Sequence, residues 1–165
     1  MKTKIVNGVS LFVLTLLSLL FLTIYLPKIF GICVYYVETD SMKPTLCVGD
    51  AVFTKEVLFE DIKKGDIVTF TDDSGTRFCT HRVVEVKEKS KSFVTKGDNN
   101  NICDPFDTSF KYVKGKMVFK LPALGYIFKL LNTTAARISV TVLAVVSLAI
   151  EIEIYKTKKK GVRQE

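Results

Sequence analysis

Glu38-Thr-Asp-Ser-Met-Lys-Pro-Thr-Leu-Cys-Val-Gly-Asp50 is a polar, turn-rich stretch that separates two very different parts of this 165-residue chain. Before it, residues 5–27 contain no charged side chain and lie between Lys4 and Lys28. After it, short segments rich in β-branched and aromatic residues alternate with turns. The stretch therefore marks the point where a membrane-length apolar segment gives way to a β domain, and it holds Ser41 in a tight turn.

Six segments predict the strands of a mainly β domain that covers residues 31–134. Valine, isoleucine, threonine and aromatic residues favour strands, and the Gly-Asp and Asp-Asp-Ser-Gly sequences between them favour turns. No helical periodicity of comparable strength occurs between the two apolar ends of the chain. The predicted strands are 34–37, 50–54, 66–70, 81–86, 92–95 and 111–121.

Residues 1–30 predict a short N-terminal tip followed by a transmembrane helix. An uncharged segment of this length, at about 1.5 Å per helical residue, is long enough to cross a hydrocarbon core of roughly 30 Å. A cleaved signal peptide is the alternative, but its apolar core usually has only about 7–15 residues. We therefore favour the transmembrane helix.

Residues 135–155 predict a second transmembrane helix, followed by a basic tail over 156–165. The continuously apolar run, 138–150, is short and is followed by Glu151 and Glu153. Spanning requires these carboxylates to reach the interface by snorkelling. A helix that lies in the membrane interface or packs on the domain is the alternative.

The formal net charge of +7 is concentrated at the two ends of the chain. Residues 31–134 hold 15 Lys or Arg and 14 Asp or Glu, so almost all of the excess lies beside the apolar segments. This distribution disfavours nucleic-acid binding. Basic residues on both outer flanks predict that both termini are cytoplasmic and that the β domain lies outside a cell membrane, in contact with the lipid bilayer.

The polar residues of the β domain include the parts of a serine-dependent hydrolytic site. A serine hydroxyl is a weak nucleophile unless a base lies within hydrogen-bond reach, usually oriented by a third group. Ser41 has only one histidine available as a base, His81, which begins a predicted strand. Each acid in the following loop either orients that imidazole or only bonds to its own backbone. The candidate acids are Asp98, Asp104 and Asp107.

The cysteines do not form a metal-binding pattern. None belongs to a C-x-x-C pair, and a single histidine is present, so we expect no metal site and no cofactor. One or two disulfides, or four small buried apolar side chains, are the remaining interpretations. The cysteines are Cys33, Cys47, Cys79 and Cys103.

A set of short motifs, in their order along the chain, resembles a type I signal peptidase. More narrowly, the set resembles the endoplasmic-reticulum-type branch found in archaea, in eukaryotic signal peptidase complexes and in some Gram-positive bacteria. The resemblance covers roughly residues 5–126, and the ordered set is more specific than any single motif. The motifs are Ser41-Met-x-Pro-Thr45 with Gly49-Asp50, Lys64-Gly-Asp66, Thr80-His-Arg82, and Thr95-Lys-Gly-Asp-Asn-Asn100 with Asp104.

The resemblance implies a signal-peptidase-like β domain and a role for each candidate residue. Ser41 is the implied nucleophile, and its backbone N–H is the obvious donor to the oxyanion. His81 is the implied general base, where the common bacterial form has a lysine. Asp104 is the favoured acid, followed by Asp98 and then Asp107. For the neighbouring Arg82, pairing with an acid of this loop and simple solvation both remain open.

The activity implied is that of a membrane-bound serine endopeptidase, which removes signal peptides from exported preproteins at the outer membrane surface through an acyl-enzyme. The alternative from another class is a catalytically silent, membrane-anchored binding or assembly subunit with the same scaffold. The sequence identifies neither the preproteins that are cut nor any partner subunit.

Overall fold

The structure, a computed structural model, describes residues 2–162, with side chains from 11 to 156 except at position 24. Within these residues lie three helices and seven strands, together with 3-10 turns at Phe59–Asp61 and Phe110–Tyr112. The elements are α1 Lys2–Ile29, β1 Ile32–Tyr36, β2 Ala51–Lys55, β3 Ile67–Thr71, β4 Phe78–Lys87, β5 Ser92–Lys96, β6 Thr108–Ser109, β7 Val113–Leu121, α2 Gly125–Leu131 and α3 Thr134–Val162.

The chain divides into two compact units. One unit contains the N-terminal helix as far as Leu26 and the chain from Leu131 onward, and the other unit is Pro27–Leu130. Within the first unit, the hydroxyl groups of Tyr25 and Thr141 lie 3.4 Å apart and join α1 to α3. The second unit holds the sheet and every candidate site residue.

The sheet has the strand order β1-β2-β7-β3-β4-β5-β6, and every neighbouring pair is antiparallel. The prediction of a mainly β domain with an apolar helix at each end of the chain is confirmed. Two elements were missed: β6, which has only two residues, and α2. No strong helical periodicity occurs in the sequence at α2, because its seven residues are too few to show a helical period.

Two buried clusters form the core of the second unit. One contains Phe59, Ile62, Val68, Val83 and Phe93. The other contains Met42, Leu46, Val52 and Ile67. Because the second cluster draws two side chains from the turn around Ser41, burial of apolar surface fixes that turn against the sheet.

Asp50 closes the polar stretch that begins at Glu38. Its carboxylate accepts hydrogen bonds from the Cys47 N–H at 3.0 Å, the Lys120 ammonium at 3.1 Å and the Ala123 N–H at 3.3 Å. Burial favours the neutral acid, but these donors outweigh it and lower the pKa of Asp50. Gly49, with φ of 93°, passes beneath the Tyr126 ring, which a Cβ would approach to 2.7 Å. The Gly-Asp pair thus joins the serine turn to the start of α2.

The helices α1 and α3 contain segments long and apolar enough to cross a membrane, Leu11–Ile29 and Thr134–Lys156. The second helix is continuous from Thr134 to Val162. It therefore extends through most of the predicted tail over 156–165. The side chains of residues 157–165 lie outside the described part of the chain.

All four cysteines are free thiols. Cys33 and Cys103 are exposed, whereas Cys47 and Cys79 are half-buried. The interpretation as four buried apolar side chains is therefore wrong, most clearly for the two exposed thiols.

Candidate active site

Ser41 lies in the turn between β1 and β2, where backbone contacts hold it against the loop that follows β5. Its carbonyl oxygen accepts a hydrogen bond from the Asn99 N–H at 2.8 Å. A Cβ on Gly97 would lie 2.6 Å from that same oxygen, a distance that side chains do not tolerate. The glycine of the Lys-Gly-Asp-Asn motif is therefore required for this loop to approach the serine turn.

His81 lies on β4, is 7% exposed, and contacts both the serine and a carboxylate. Its Nε2 is 3.3 Å from Ser41 Oγ, and its Nδ1 is 2.7 Å from Asp104 Oδ2. An ionised carboxylate only accepts hydrogen bonds, so Nδ1 carries the proton. The Nε2 lone pair is then directed at the serine hydroxyl.

Asp104 is fixed to β5 at two points. Its N–H donates to the Thr95 carbonyl at 2.8 Å, and the Thr95 hydroxyl donates to Asp104 Oδ2 at 2.6 Å. The Thr108 hydroxyl on β6 lies 3.1 Å from that of Thr95. In the sequence, Thr95 appears in a motif without an assigned role and Thr108 is not singled out, because threonine is an ordinary strand residue.

The other two candidate acids have different partners. Arg82 binds Asp98 in a bidentate manner, with Nε 2.8 Å from Oδ1 and Nη2 2.7 Å from Oδ2, and the Thr45 hydroxyl donates to Oδ2 at 2.5 Å. Asp107 pairs with Lys87 at 2.8 Å. Of the three aspartates, the structure thus brings only Asp104 into hydrogen-bond contact with His81. Pairing of Arg82 with an acid of the loop, one of its two interpretations, is confirmed.

The Arg82–Asp98 pair stabilises the fold in a way that depends on pH. Hydrogen bonds from Arg82 lower the pKa of Asp98 from its ordinary value of 3.8, and Thr45 adds to this effect against the cost of burial. A carboxyl with a lowered folded-state pKa contributes stability above its unfolded pKa, and this contribution is lost as the pH falls through the folded value.

We therefore expect Asp98→Asn to lower the free energy of unfolding by about 1.5–3 kcal/mol at pH 7, the size of a hydrogen bond to a charged group. The difference from wild type should shrink as the pH falls below 3.8, where the unfolded chain takes up this proton, and it should vanish only below the lowered pKa of folded Asp98. Unfolding of the detergent-solubilised full chain, followed by circular dichroism at pH 7 and pH 3, measures both values. Asp107→Asn removes an exposed pair and should leave the free energy of unfolding almost unchanged; equal losses in both variants would contradict this account.

Two further groups adjoin the Ser41–His81 pair. The Thr39 hydroxyl lies 3.3 Å from Ser41 Oγ. The Cys79 sulfur lies 3.6 Å from His81 Nε2, and burial, aided by the charge of Asp104, raises the pKa of the Cys79 thiol to about 11. The thiol is therefore neutral near pH 7 and does not compete with Ser41 as an anionic nucleophile.

No group of three or more potential metal ligands occurs among the residues that the structure describes. A serine hydroxyl, an imidazole and a carboxylate instead follow one another in hydrogen-bonding order. This order is the arrangement of hydrolases that use an activated serine, in which the imidazole can accept the hydroxyl proton and the carboxylate can stabilise the resulting imidazolium.

Comparison with known proteins places the chain in a family. The family described as "Signal peptidase, peptidase S26" matches residues 8–114. Signal peptidase I W of Bacillus subtilis (strain 168) is 34% identical over 100 residues, which are 58% of this chain and 52% of that protein. The human signal peptidase complex catalytic subunit SEC11C is 37% identical over 71 residues, which are 41% of this chain and 37% of that protein.

The chain therefore belongs to the signal peptidase family, peptidase S26, and the resemblance noted in the sequence is confirmed. The chain spans about half the length of the bacterial relative and a smaller part of the human one.

Proposed function

We propose that this protein is a membrane-bound serine endopeptidase that removes signal peptides from exported preproteins. The observation that carries the proposal is the contact of His81 with both Ser41 and Asp104, at 3.3 Å and 2.7 Å, in a chain of the signal peptidase family. The likeness to two proteins named as signal peptidase components supports the choice of substrate.

The proposed reaction has two halves that use the same base. His81 Nε2 accepts the Ser41 hydroxyl proton while Oγ attacks the carbonyl carbon of the scissile peptide bond. The Ser41 N–H donates to the developing oxyanion. The imidazolium, stabilised by Asp104, then protonates the leaving amine as the C–N bond breaks. A water molecule, deprotonated by His81, finally hydrolyses the Ser41 ester and releases the signal peptide.

The proposed membrane arrangement has both helical segments spanning a cell membrane, both termini in the cytoplasm, and the β domain outside. Ser41 lies twelve residues after the end of α1 at Ile29, which allows at most about 40 Å at roughly 3.3 Å per extended residue. The cleavage site of a signal peptide follows its apolar core, so this reach suits a substrate held in the same membrane.

Labelling of single-cysteine variants with a membrane-impermeant maleimide tests this topology. A variant that keeps only the exposed Cys103 should be labelled on intact cells. A variant whose only cysteine comes from Lys156→Cys should be labelled only when the cells have been permeabilised. Labelling of Cys103 only after permeabilisation would place the β domain inside and overturn the arrangement.

Cleavage of a preprotein with an Ala-x-Ala site by the purified, detergent-solubilised full chain tests the activity itself. We expect the product to begin at the residue after the second alanine, as read by N-terminal sequencing. Products that begin elsewhere, or that form equally from a substrate whose alanines are replaced by leucine, would contradict the assignment.

A further inference from the structure

Thr95 is a buried polar residue that the reaction described above does not use. It is fully buried on β5, and it occupies the same face of the strand as Phe93, two residues earlier, which belongs to the apolar core. A valine has nearly the same shape and would suit this core position without a polar atom to satisfy. Packing alone therefore does not explain why this buried residue is a threonine.

The hydrogen bonds of Thr95 have a fixed direction. Asp104 Oδ2 accepts from both the Thr95 hydroxyl at 2.6 Å and His81 Nδ1 at 2.7 Å. A threonine hydroxyl has one proton to donate, and Thr95 donates it to the carboxylate. The contact with Thr108 at 3.1 Å is then a bond donated by Thr108. The result is a buried chain that runs from Thr108 through Thr95 to Asp104, where it meets His81.

These hydrogen bonds hold the Asp104 carboxylate within hydrogen-bond distance of His81 Nδ1. Asp104 follows a turn-rich loop, in which its side chain would otherwise be free to rotate, but its side chain is only 18% exposed. Because Thr95 and His81 share one carboxylate oxygen, the hydroxyl determines where that oxygen lies relative to the ring. Consecutive hydrogen bonds also polarise one another, which strengthens the bond that Thr95 donates to Asp104.

We propose that Thr95 is a positioning residue of the active site: its hydroxyl, supported by Thr108, orients Asp104 and through it keeps the His81 proton on Nδ1. The inference rests on the proposed function for its kinetic consequence. Thr95 touches neither the substrate nor the reacting atoms, so its effect falls on turnover and not on substrate binding.

Variants of Thr95 separate orientation from packing. Thr95→Val should lower kcat roughly 10- to 100-fold with KM nearly unchanged, the effect of one lost hydrogen bond to a charged group. Thr95→Ser keeps the hydroxyl and should restore kcat to within about threefold of wild type. Thr54→Val is the matched control, because Thr54 is also fully buried, on β2, and its hydroxyl is 3.4 Å from the Cys33 carbonyl, away from the site. It should leave kcat unchanged.

A double variant distinguishes a loss of kcat caused by the missing Thr95 hydroxyl from one caused by a less stable fold. Thr95→Val alone leaves the buried Thr108 hydroxyl without its acceptor, which costs stability. Thr95→Val/Thr108→Val removes both hydroxyls and should recover thermal stability while kcat stays low. Recovery of kcat together with stability would show that the loss came from the fold, and would overturn the proposal.

The decisive readout does not depend on substrate. The chain has a single histidine, so nitrogen-15 NMR of labelled protein reports the tautomer of His81 without ambiguity. We expect the proton on Nδ1 in wild type and Thr95→Ser, and a mixture of tautomers in Thr95→Val. An unchanged tautomer in Thr95→Val, or a Thr95→Ser variant as impaired as Thr95→Val, would overturn the proposal. If no variant or wild type cleaves preprotein, the function fails, and the NMR result still decides the role of Thr95.

Discussion

Replacing His81 by lysine should abolish the proposed preprotein cleavage, with an expected loss of roughly 10⁴-fold or more in kcat. A lysine serves as a base only when its ammonium group loses its proton, which requires a desolvated setting without a compensating negative charge. Here the carboxylate of Asp104 lies 2.7 Å from the imidazole that lysine would replace. That charge stabilises the ammonium form, so the variant has a buried ion pair where the wild type has a base.

The comparison with His81→Ala gives this prediction its control. Both variants should lose activity to a similar extent, and both should bind to membranes and keep the circular dichroism spectrum of the wild type. Cleavage by His81→Lys at more than about 1% of the wild-type rate would mean that the site accepts a lysine base, against the charge argument above.

Asp104→Asn should lower kcat by roughly 10⁴-fold, because the amide would no longer select the correct tautomer of His81. If the amide NH₂ group faces Nδ1, the ring must carry its proton on Nε2. An Nε2–H directed at Ser41 Oγ cannot accept the hydroxyl proton. Cleavage kinetics of the purified variant measure the loss, and the His81 tautomer provides its physical signature.

Asp107→Asn is the matched control for this prediction, since it makes the same change three residues further along the loop. Asp107 pairs with Lys87 and not with His81. The variant should cleave at the wild-type rate. A large loss in Asp107→Asn with little change in Asp104→Asn would reassign the acid.

Most strands, and the candidate site residues that the structure brings into contact, could be selected from the sequence for different reasons. Strand residues have side-chain preferences that appear locally, as in the valines of β4. The site residues Ser41 and His81 stood out because one is in a rigid turn and the other is the only histidine. The extent of α3 was underestimated because Glu151 and Glu153 end the apolar run without ending the helix.

The choice among the three aspartates depended on contacts between distant parts of the chain. Local spacing places Asp98, Asp104 and Asp107 in one loop, and each is a plausible turn residue. What separates them is which side chain faces them across the fold: Arg82 for the first, His81 for the second and Lys87 for the third. The contacts of Thr95, which the sequence shows only as part of a motif, could not be predicted for the same reason, since its partners lie on another strand and in the following loop.

The most direct test of the central claim, that Ser41 is the nucleophile of a signal peptidase, is cleavage of an Ala-x-Ala preprotein. Wild type and Ser41→Ala are purified in parallel in detergent and compared. The account predicts a single product at the Ala-x-Ala site with the wild type, and no product with Ser41→Ala, although the variant binds membranes and folds like the wild type. Ser74→Ala, in an exposed turn, should cleave normally. Equal cleavage by Ser41→Ala would contradict the serine mechanism, and a well-folded wild type without activity would favour a silent binding or assembly subunit.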